Sequence, residues 1–142
     1  MGEFYISGNK SLALLQHVCS NDISKVILGK AQYNYFPNKT GGVVDDLIVY
    51  RLEKELYLLV VNASNKEQNK IFGATLENKS EEIALLAIQG PCALKAMQKL
   101  TKVSLESLPF YAHSTDTFAG IENTLIATTG YTGAGGIEIY IP

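Results

Sequence analysis

Two aspartates, Asp45 and Asp46, stand inside an otherwise apolar run, Val43-Val44-Asp45-Asp46-Leu47-Ile48-Val49-Tyr50-Arg51-Leu52. With strand alternation, Asp46 shares a face with Val44, Ile48 and Tyr50, while Asp45 shares the other with Val43, Leu47 and Val49. A carboxylate on such a surface is costly unless it is paired, hydrogen-bonded or turned toward a cavity. One reading is structural: an aspartate pairs with a nearby cation such as Arg51. The other is functional: a desolvated carboxylate lines a ligand site, ready to transfer a proton or to hold a developing cation. A second feature is Gly130-Tyr131-Thr132-Gly133-Ala134-Gly135-Gly136. Glycine-rich loops can cradle phosphates, but that use needs a strand-to-helix turn, usually with a Lys. This loop lies between two β patterns and has no Lys. It is either a plain connection or a place of close backbone approach to a ligand, with Tyr131 and Glu138 as side-chain contacts. Tyr33, Tyr50 and Tyr131 suit either a core or a binding surface. His17 and His113 are isolated, and His17 and Cys19, two apart on a helix, face different ways. The sequence therefore offers no metal site and no nucleophile–histidine pair.

Composition bounds the rest. The 142 residues carry 12 Lys and Arg against 14 Asp and Glu, a formal net charge of −2. That balance argues against a nucleic-acid binder held by counterion release. With 46% hydrophobic and 18% charged residues, the chain is of a folding composition. No apolar run approaches the roughly 18 residues of a membrane span, and Met1 to Ser7 do not read as a secretion signal. Two cysteines, Cys19 and Cys92, read as reduced thiols of a cytoplasmic protein.

The elements that must position these residues follow from periodicity. Phe4 to Ile6 reads as a strand, broken at Gly8 and Asn9. Ser11 to Cys19 is helical, with Leu12, Leu15 and Cys19 on one face. Gln32 to Phe36 suits a strand, and Pro37 to Gly42 a turn. Val43 to Leu52 is a strand expected to be covered on both faces. It turns at Glu53-Lys54-Glu55 and returns antiparallel as Leu56 to Val61. Ser64-Asn65-Lys66-Glu67 is a capping-box pattern opening a helix that carries Ile71, Phe72 and Leu76 and ends at Asn78-Lys79-Ser80. Ile83 to Ile88 is a strand. Gly90-Pro91 starts a helix with proline at its first position and Leu94, Met97 and Leu100 as its buried stripe. Phe110–Ala112, Thr117–Ala119, Leu125–Thr129 and Ile137–Ile141 read as strands.

The grammar repeats. Ile6-Ser7-Gly8 with Ser11, Leu12, Leu15 and Gln16 is echoed by Ile88-Gln89-Gly90 with Ala93, Leu94, Met97 and Gln98, an offset of 82 residues (Ile6 to Ile88, Ser11 to Ala93). The expected fold is α+β: largely antiparallel sheets with helices packed on them, in two related strand–helix–strands units. The expected division is 1–82, carrying the GGVVDD strand, and 83–142, a second subdomain cut short at its C-terminus.

Four segments in this order resemble the glycine cleavage system T protein family, the aminomethyltransferases. They are Gly41-Gly42-Val43-Val44-Asp45-Asp46-Leu47-Ile48-Val49-Tyr50; Val60-Val61-Asn62-Ala63-Ser64-Asn65; Ile88-Gln89-Gly90-Pro91; and Thr129-Gly130-Tyr131-Thr132-Gly133 with Glu138. The opening Met1-Gly2-Glu3-Phe4 resembles a segment internal to the family. The resemblance implies a folate-binding α+β fold with a further barrel domain downstream, which this chain does not reach. It implies transfer of a methylene group from the aminomethyl-lipoyl arm of the partner H protein to tetrahydrofolate, releasing ammonia. It further implies that Asp46 is the functional carboxylate, with Asp45 the second choice because one register slip exchanges them. Tyr33, Ile48, Tyr50, Asn62 and Met1 match channel-lining positions, and Tyr131 and Glu138 match residues that hold the pterin ring. No metal is implied, and the lipoyl group comes with the partner.

Ala134 stands where the family usually has an acidic residue, and Ile137 where an aromatic precedes the Glu. Because the resemblance stops before the barrel, the chain alone is expected to bind folate weakly and turn over poorly. Alternatives of the same superfamily are a non-catalytic folate-binding maturation factor, whose usual Lys-Gly-Cys-Tyr motif is missing, and another folate-dependent demethylating enzyme. An inert structural fragment is the non-enzymatic alternative.

Overall fold

The computed structural model describes residues 1–62 and 73–142. The chain forms two compact units, Met1–Glu81 and Glu82–Pro142. Each is an antiparallel sheet with one short helix packed on one face, the α+β class expected.

The first unit has strands β1 (Gly2–Ser7), β2 (Ala31–Pro37), β3 (Val43–Glu53), β4 (Leu56–Val61) and β5 (Thr75–Asn78), and helix α1 (Ser11–Val18). The sheet order is β2-β3-β4-β1-β5. One face carries Phe4, Ile6, Leu47, Val49, Tyr57, Leu59 and Val61, which pack with Leu14, Leu15 and Ile23 into the core. An eight-residue helix is marginal by itself, so this burial holds it. Fully burying Leu15 or Ile23 contributes about 1.5–3 kcal/mol each. The buried stripe of α1 is Ser11, Leu14 and Leu15. The expected face of Leu12, Leu15 and Cys19 is corrected in two places. Leu12 is only partly buried, and Cys19 caps the helix in an extended conformation that leaves its side chain in the core.

The β2–β3 turn is built by Asn38. Its Oδ1 accepts from the Thr40 and Gly42 backbone N–H at 3.0 and 2.8 Å, and Gly41 supplies the left-handed step at φ 84°. β3 and β4 pair antiparallel through the Glu53–Glu55 turn, as the alternation predicts. β3 is covered on both faces only from Leu47 onward. Val43 and Val44 are each 59% exposed, because there β3 pairs with the frayed, bulged end of β2. The capping-box residues Ser64–Glu67, with Ile71 and Phe72, lie outside the described residues. Leu76, expected on that helix, instead lies in β5, paired with Ile6 of β1.

The second unit has β6 (Ala84–Gln89), α2 (Ala93–Met97), β7 (His113–Phe118), β8 (Ile121–Ala127) and β9 (Gly136–Ile141), in the order β6-β9-β8-β7. Its core is Leu105, Phe118, Ile126, Ile137 and Ile139, with Ile88, Leu94 and Met97 against it. Pro91 precedes the N-cap, Cys92, rather than occupying the first helical position. The expected stripe is shortened, since Leu100 falls in a 3-10 turn at the surface. Phe110–Ala112 is a turn rather than a strand. Tyr111 takes φ 55° and its N–H reaches the Thr128 carbonyl. Ala119 lies in the turn between β7 and β8.

The repeat is visible as topology. Reading from the free edge, β2-β3-β4-β1 and β7-β8-β9-β6 have the same chain order and pairing sense. β1 and β6 start at residues 2 and 84, and α1 and α2 at 11 and 93, so the 82-residue offset holds through both.

Candidate functional site

Strand registers assemble the first cluster. On the sheet face opposite the helix-bearing core, Ile48 of β3 pairs with Tyr33 of β2 on one side and Val60 of β4 on the other. Two residues along, Asp46 pairs with Tyr35, and the Leu47↔Val61 pair brings Asp46 alongside Asn62, one step past the end of β4. The Gly2↔Val61 pair brings Met1 to the other side of Asn62. Tyr50 follows one step beyond Ile48, paired with Ala31 and Leu58. Met1, Tyr33, Asp46, Ile48, Tyr50 and Asn62 thus occupy neighbouring rows on one face of one sheet. Strand alternation makes this possible, since these β3 positions all share one parity.

Asp46 is hydrogen-bonded at both oxygens. The Tyr33 hydroxyl donates to Oδ2 at 2.8 Å, and the Asn62 amide donates to Oδ1 at 2.8 Å. Tyr33 reaches Asp46 on the diagonal, across from Ile48 rather than directly opposite, a separation within reach of a tyrosine. Asp46 is exposed while Asp45, only 9% exposed, turns toward the core side. Asn62 Nδ2 also donates to Asp45 Oδ1 at 2.7 Å, and that oxygen accepts from the Asp46 backbone N–H at 3.0 Å. One amide therefore bridges two carboxylates of opposite orientation. The proposed partner Arg51 is five residues further along β3, roughly 17 Å by strand rise. Its guanidinium donates to the Val26 and Lys54 carbonyls and lies over the Tyr57 ring. Burial, partly offset by Arg51, raises the Tyr57 phenol above its ordinary value.

The second cluster lies in the second unit, again on the face opposite the helix-bearing core. Glu138 is nearly buried and its Oε2 accepts from the Thr129 hydroxyl at 2.5 Å and the Tyr140 hydroxyl at 3.3 Å. Burial and then the Glu138 charge raise the Tyr111 phenol, which places a second tyrosine within its field. Tyr131 is 93% exposed on the glycine-rich loop. It touches neither Glu138 nor any residue of its own unit through a hydrogen bond among the described contacts.

The sequence reading missed Glu3, Thr129 and Tyr140. Glu3 is a buried carboxylate on the Asp46 face, in the row of Val60 and Ile48. Its signal was available: in Gly2-Glu3-Phe4-Tyr5-Ile6 it takes the parity opposite Phe4 and Ile6. Tyr140 shares parity with Glu138 on β9. Thr129 has no comparable signal, because its reach depends on the loop path. Among the described residues no three His, Cys, Asp or Glu are grouped to hold a metal ion, and no helix is long and apolar enough to cross a membrane.

Comparison with known proteins places the chain in a family. The GCVT N-terminal domain family matches residues 1–142. The aminomethyltransferase of Phocaeicola vulgatus is 52% identical over 147 residues, covering 99% of this chain and 41% of that protein. That of Bacteroides thetaiotaomicron is 51% identical with the same coverage. The crystal structure of glycine cleavage system aminomethyltransferase T from Bartonella henselae superimposes with a TM-score of 0.85 at 27% identity, over 99% of this chain and 39% of that one. The chain spans about two-fifths of the length of the curated relatives it matches.

Proposed function

This chain belongs to the GCVT N-terminal domain family, and from that premise we propose that it forms the folate-facing part of a glycine cleavage aminomethyltransferase. The observation that carries the reading is the Asp46 carboxylate, exposed on a largely apolar face and held at both oxygens by Tyr33 and Asn62. A carboxylate fixed before the substrate arrives costs no reorganisation when positive charge develops beside it.

The reaction moves one carbon. The aminomethyl group on the lipoyl sulfur of H protein gives its methylene to the two reactive nitrogens of tetrahydrofolate. Ammonia leaves, and the arm departs as dihydrolipoyl. Asp46 orients those nitrogens and stabilises the iminium-like charge on the carbon in flight. Tyr33 and Asn62 hold Asp46, and Ile48 offers apolar surface to the folate with Met1 at the row's end, while Tyr50, expected to line the channel, is fully buried and backs that face rather than opening onto it. Glu138 accepts paired N–H groups from the pterin edge and Tyr131 covers the ring. The acceptor is tetrahydrofolate, the partner is H protein, and no nucleic acid or membrane takes part. Free Cys19 and Cys92 suit the reducing cytoplasm, where this one-carbon step is placed.

The test is a chimera. These 142 residues replace the matching segment of the Phocaeicola vulgatus aminomethyltransferase, and methylenetetrahydrofolate formation is followed with aminomethylated H protein. The chimera is expected to turn over, and Asp46→Asn within it to lower kcat at least a hundredfold. Unchanged turnover in the variant removes Asp46 from the chemistry.

A further inference from the structure

The loop Gly130–Gly136 connects β8 to β9 and carries Tyr131 at its crest. Gly130, Gly133, Gly135 and Gly136 all take positive φ, so the loop has little side-chain bulk to fix its own path. What fixes it comes from the end of β6. Gln89 Nε2 donates to the carbonyls of Thr129 and Ile137, both at 3.1 Å, the two residues that bracket the loop. Gln89 Oε1 accepts from the Thr132 hydroxyl at 3.2 Å, and Thr132 Oγ1 in turn accepts from the Ala134 N–H at 3.3 Å. The next N–H along, that of Gly90, donates to the Gly135 carbonyl at 2.8 Å. Turning the amide over would aim its oxygen at two carbonyl oxygens, so the network sets its orientation. The glycines belong to the same arrangement. A Cβ on Gly130 would collide with the Gln89 amide, and one on Gly136 with the Ile88 carbonyl.

We infer that Gln89 is a positioning residue for folate: its single side-chain amide ties both ends and the middle of the glycine loop, and so sets where Tyr131 and Glu138 are presented to a flat heteroaromatic ring. The inference rests on the folate reading above and deepens it. Gln89 itself stays on the strand side of the loop and touches no substrate. A brace that served stability alone would lower the unfolding midpoint and leave the loop's ligand geometry as it was.

The variants are Gln89→Leu, an apolar side chain that loses every hydrogen bond, and Thr132→Val, which removes the link to the loop's middle together with the acceptor of the Ala134 N–H, so that only Gly90 reports on the loop in that variant. Hydrogen exchange of the Ala134 and Gly90 amides is read by NMR in the ligand-free chain, alongside the β8 and β9 amides. The same samples are titrated with 5-formyltetrahydrofolate by chemical shift, which reads weak binding directly. In Gln89→Leu the loop amides are expected to exchange at least tenfold faster while β8 and β9 keep their protection, and Kd to rise about tenfold. In Thr132→Val the Gly90 amide, whose own acceptor is intact, is expected to exchange about threefold faster and Kd to rise about threefold. Unchanged loop exchange overturns the inference, and so does faster exchange with an unchanged Kd. If Gln89→Leu loses the β8 and β9 protection, Thr132→Val decides on the same two readouts. A wild-type chain that binds no folate overturns the functional reading and the presenting role with it. That outcome is told apart from failure of the strap because loop exchange is read without ligand.

Discussion

Asn62→Ala removes a side-chain amide that joins Asp45 to Asp46. Its two bonds, 2.7 and 2.8 Å, both end on carboxylate oxygens, a class of hydrogen bond with a net contribution of about 1.5–3 kcal/mol. The two losses are unequal. Asp46 is exposed, so water replaces the missing donor and little is lost there. Asp45 is almost fully buried, so water cannot replace the lost donor at its oxygen and most of that oxygen's desolvation cost returns. The expected cost is about 2 kcal/mol, equivalent to lowering the midpoint of a unit of this size by roughly 8–16 °C. The assay is urea unfolding followed by far-UV circular dichroism, with amide signals of the first unit read by NMR to assign the transition. A double-mutant cycle supplies the discriminating result. Combined with Asp45→Ala, Asn62→Ala is expected to cost about 1–2 kcal/mol less than it does alone, whereas combined with Asp46→Ala it costs nearly the same. A full cost in the Asp45→Ala background refutes the argument that burial, rather than the bond count, decides the penalty.

Other consequences are simpler to read. Leu15→Ala, at a fully buried site beneath the first sheet, is expected to lower stability by about 2–5 kcal/mol in the same urea titration. Burial pushes the Cys19 thiol up to about 12, above its unfolded value of roughly 8.5. The folded chain therefore holds that proton longer than the unfolded chain. Its contribution is complete below about pH 8.5 and falls as pH rises toward 12. Cys19→Ala is expected to flatten this alkaline limb, and iodoacetamide at pH 8 is expected to label exposed Cys92 in the native chain and both thiols in urea.

What the sequence made legible was whatever depends on parity. Period-2 alternation put Asp46, Ile48 and Tyr50 on one face and Asp45 on the other, and the hairpin at Glu53–Glu55 fixed the register with β4. The 82-residue repeat was readable from two strand–glycine–helix joints and reappears as matching sheet order. Long-range and loop-borne facts were not legible. The bridging role of Asn62 depends on where β4 ends relative to β3. The exposure of Val43 and Val44 depends on a bulge between Phe36 and Pro37. Short helices were over-extended because periodicity cannot tell a helical turn from a 3-10 turn, as at Leu100. Tyr111 and Phe110 have strand-forming side chains, yet a left-handed φ at Tyr111 turns the chain there. Leu76 was absorbed into a helical pattern although its pairing partner, Ile6, lies far upstream.

The central claim is that folate meets this chain at the Asp46 carboxylate. A calorimetric titration of the purified chain with 5-formyltetrahydrofolate, run beside Asp46→Asn, tests it most directly. The account predicts measurable binding that the substitution weakens by about tenfold, the loss of one charge-assisted contact. Equal affinity in the two proteins contradicts it.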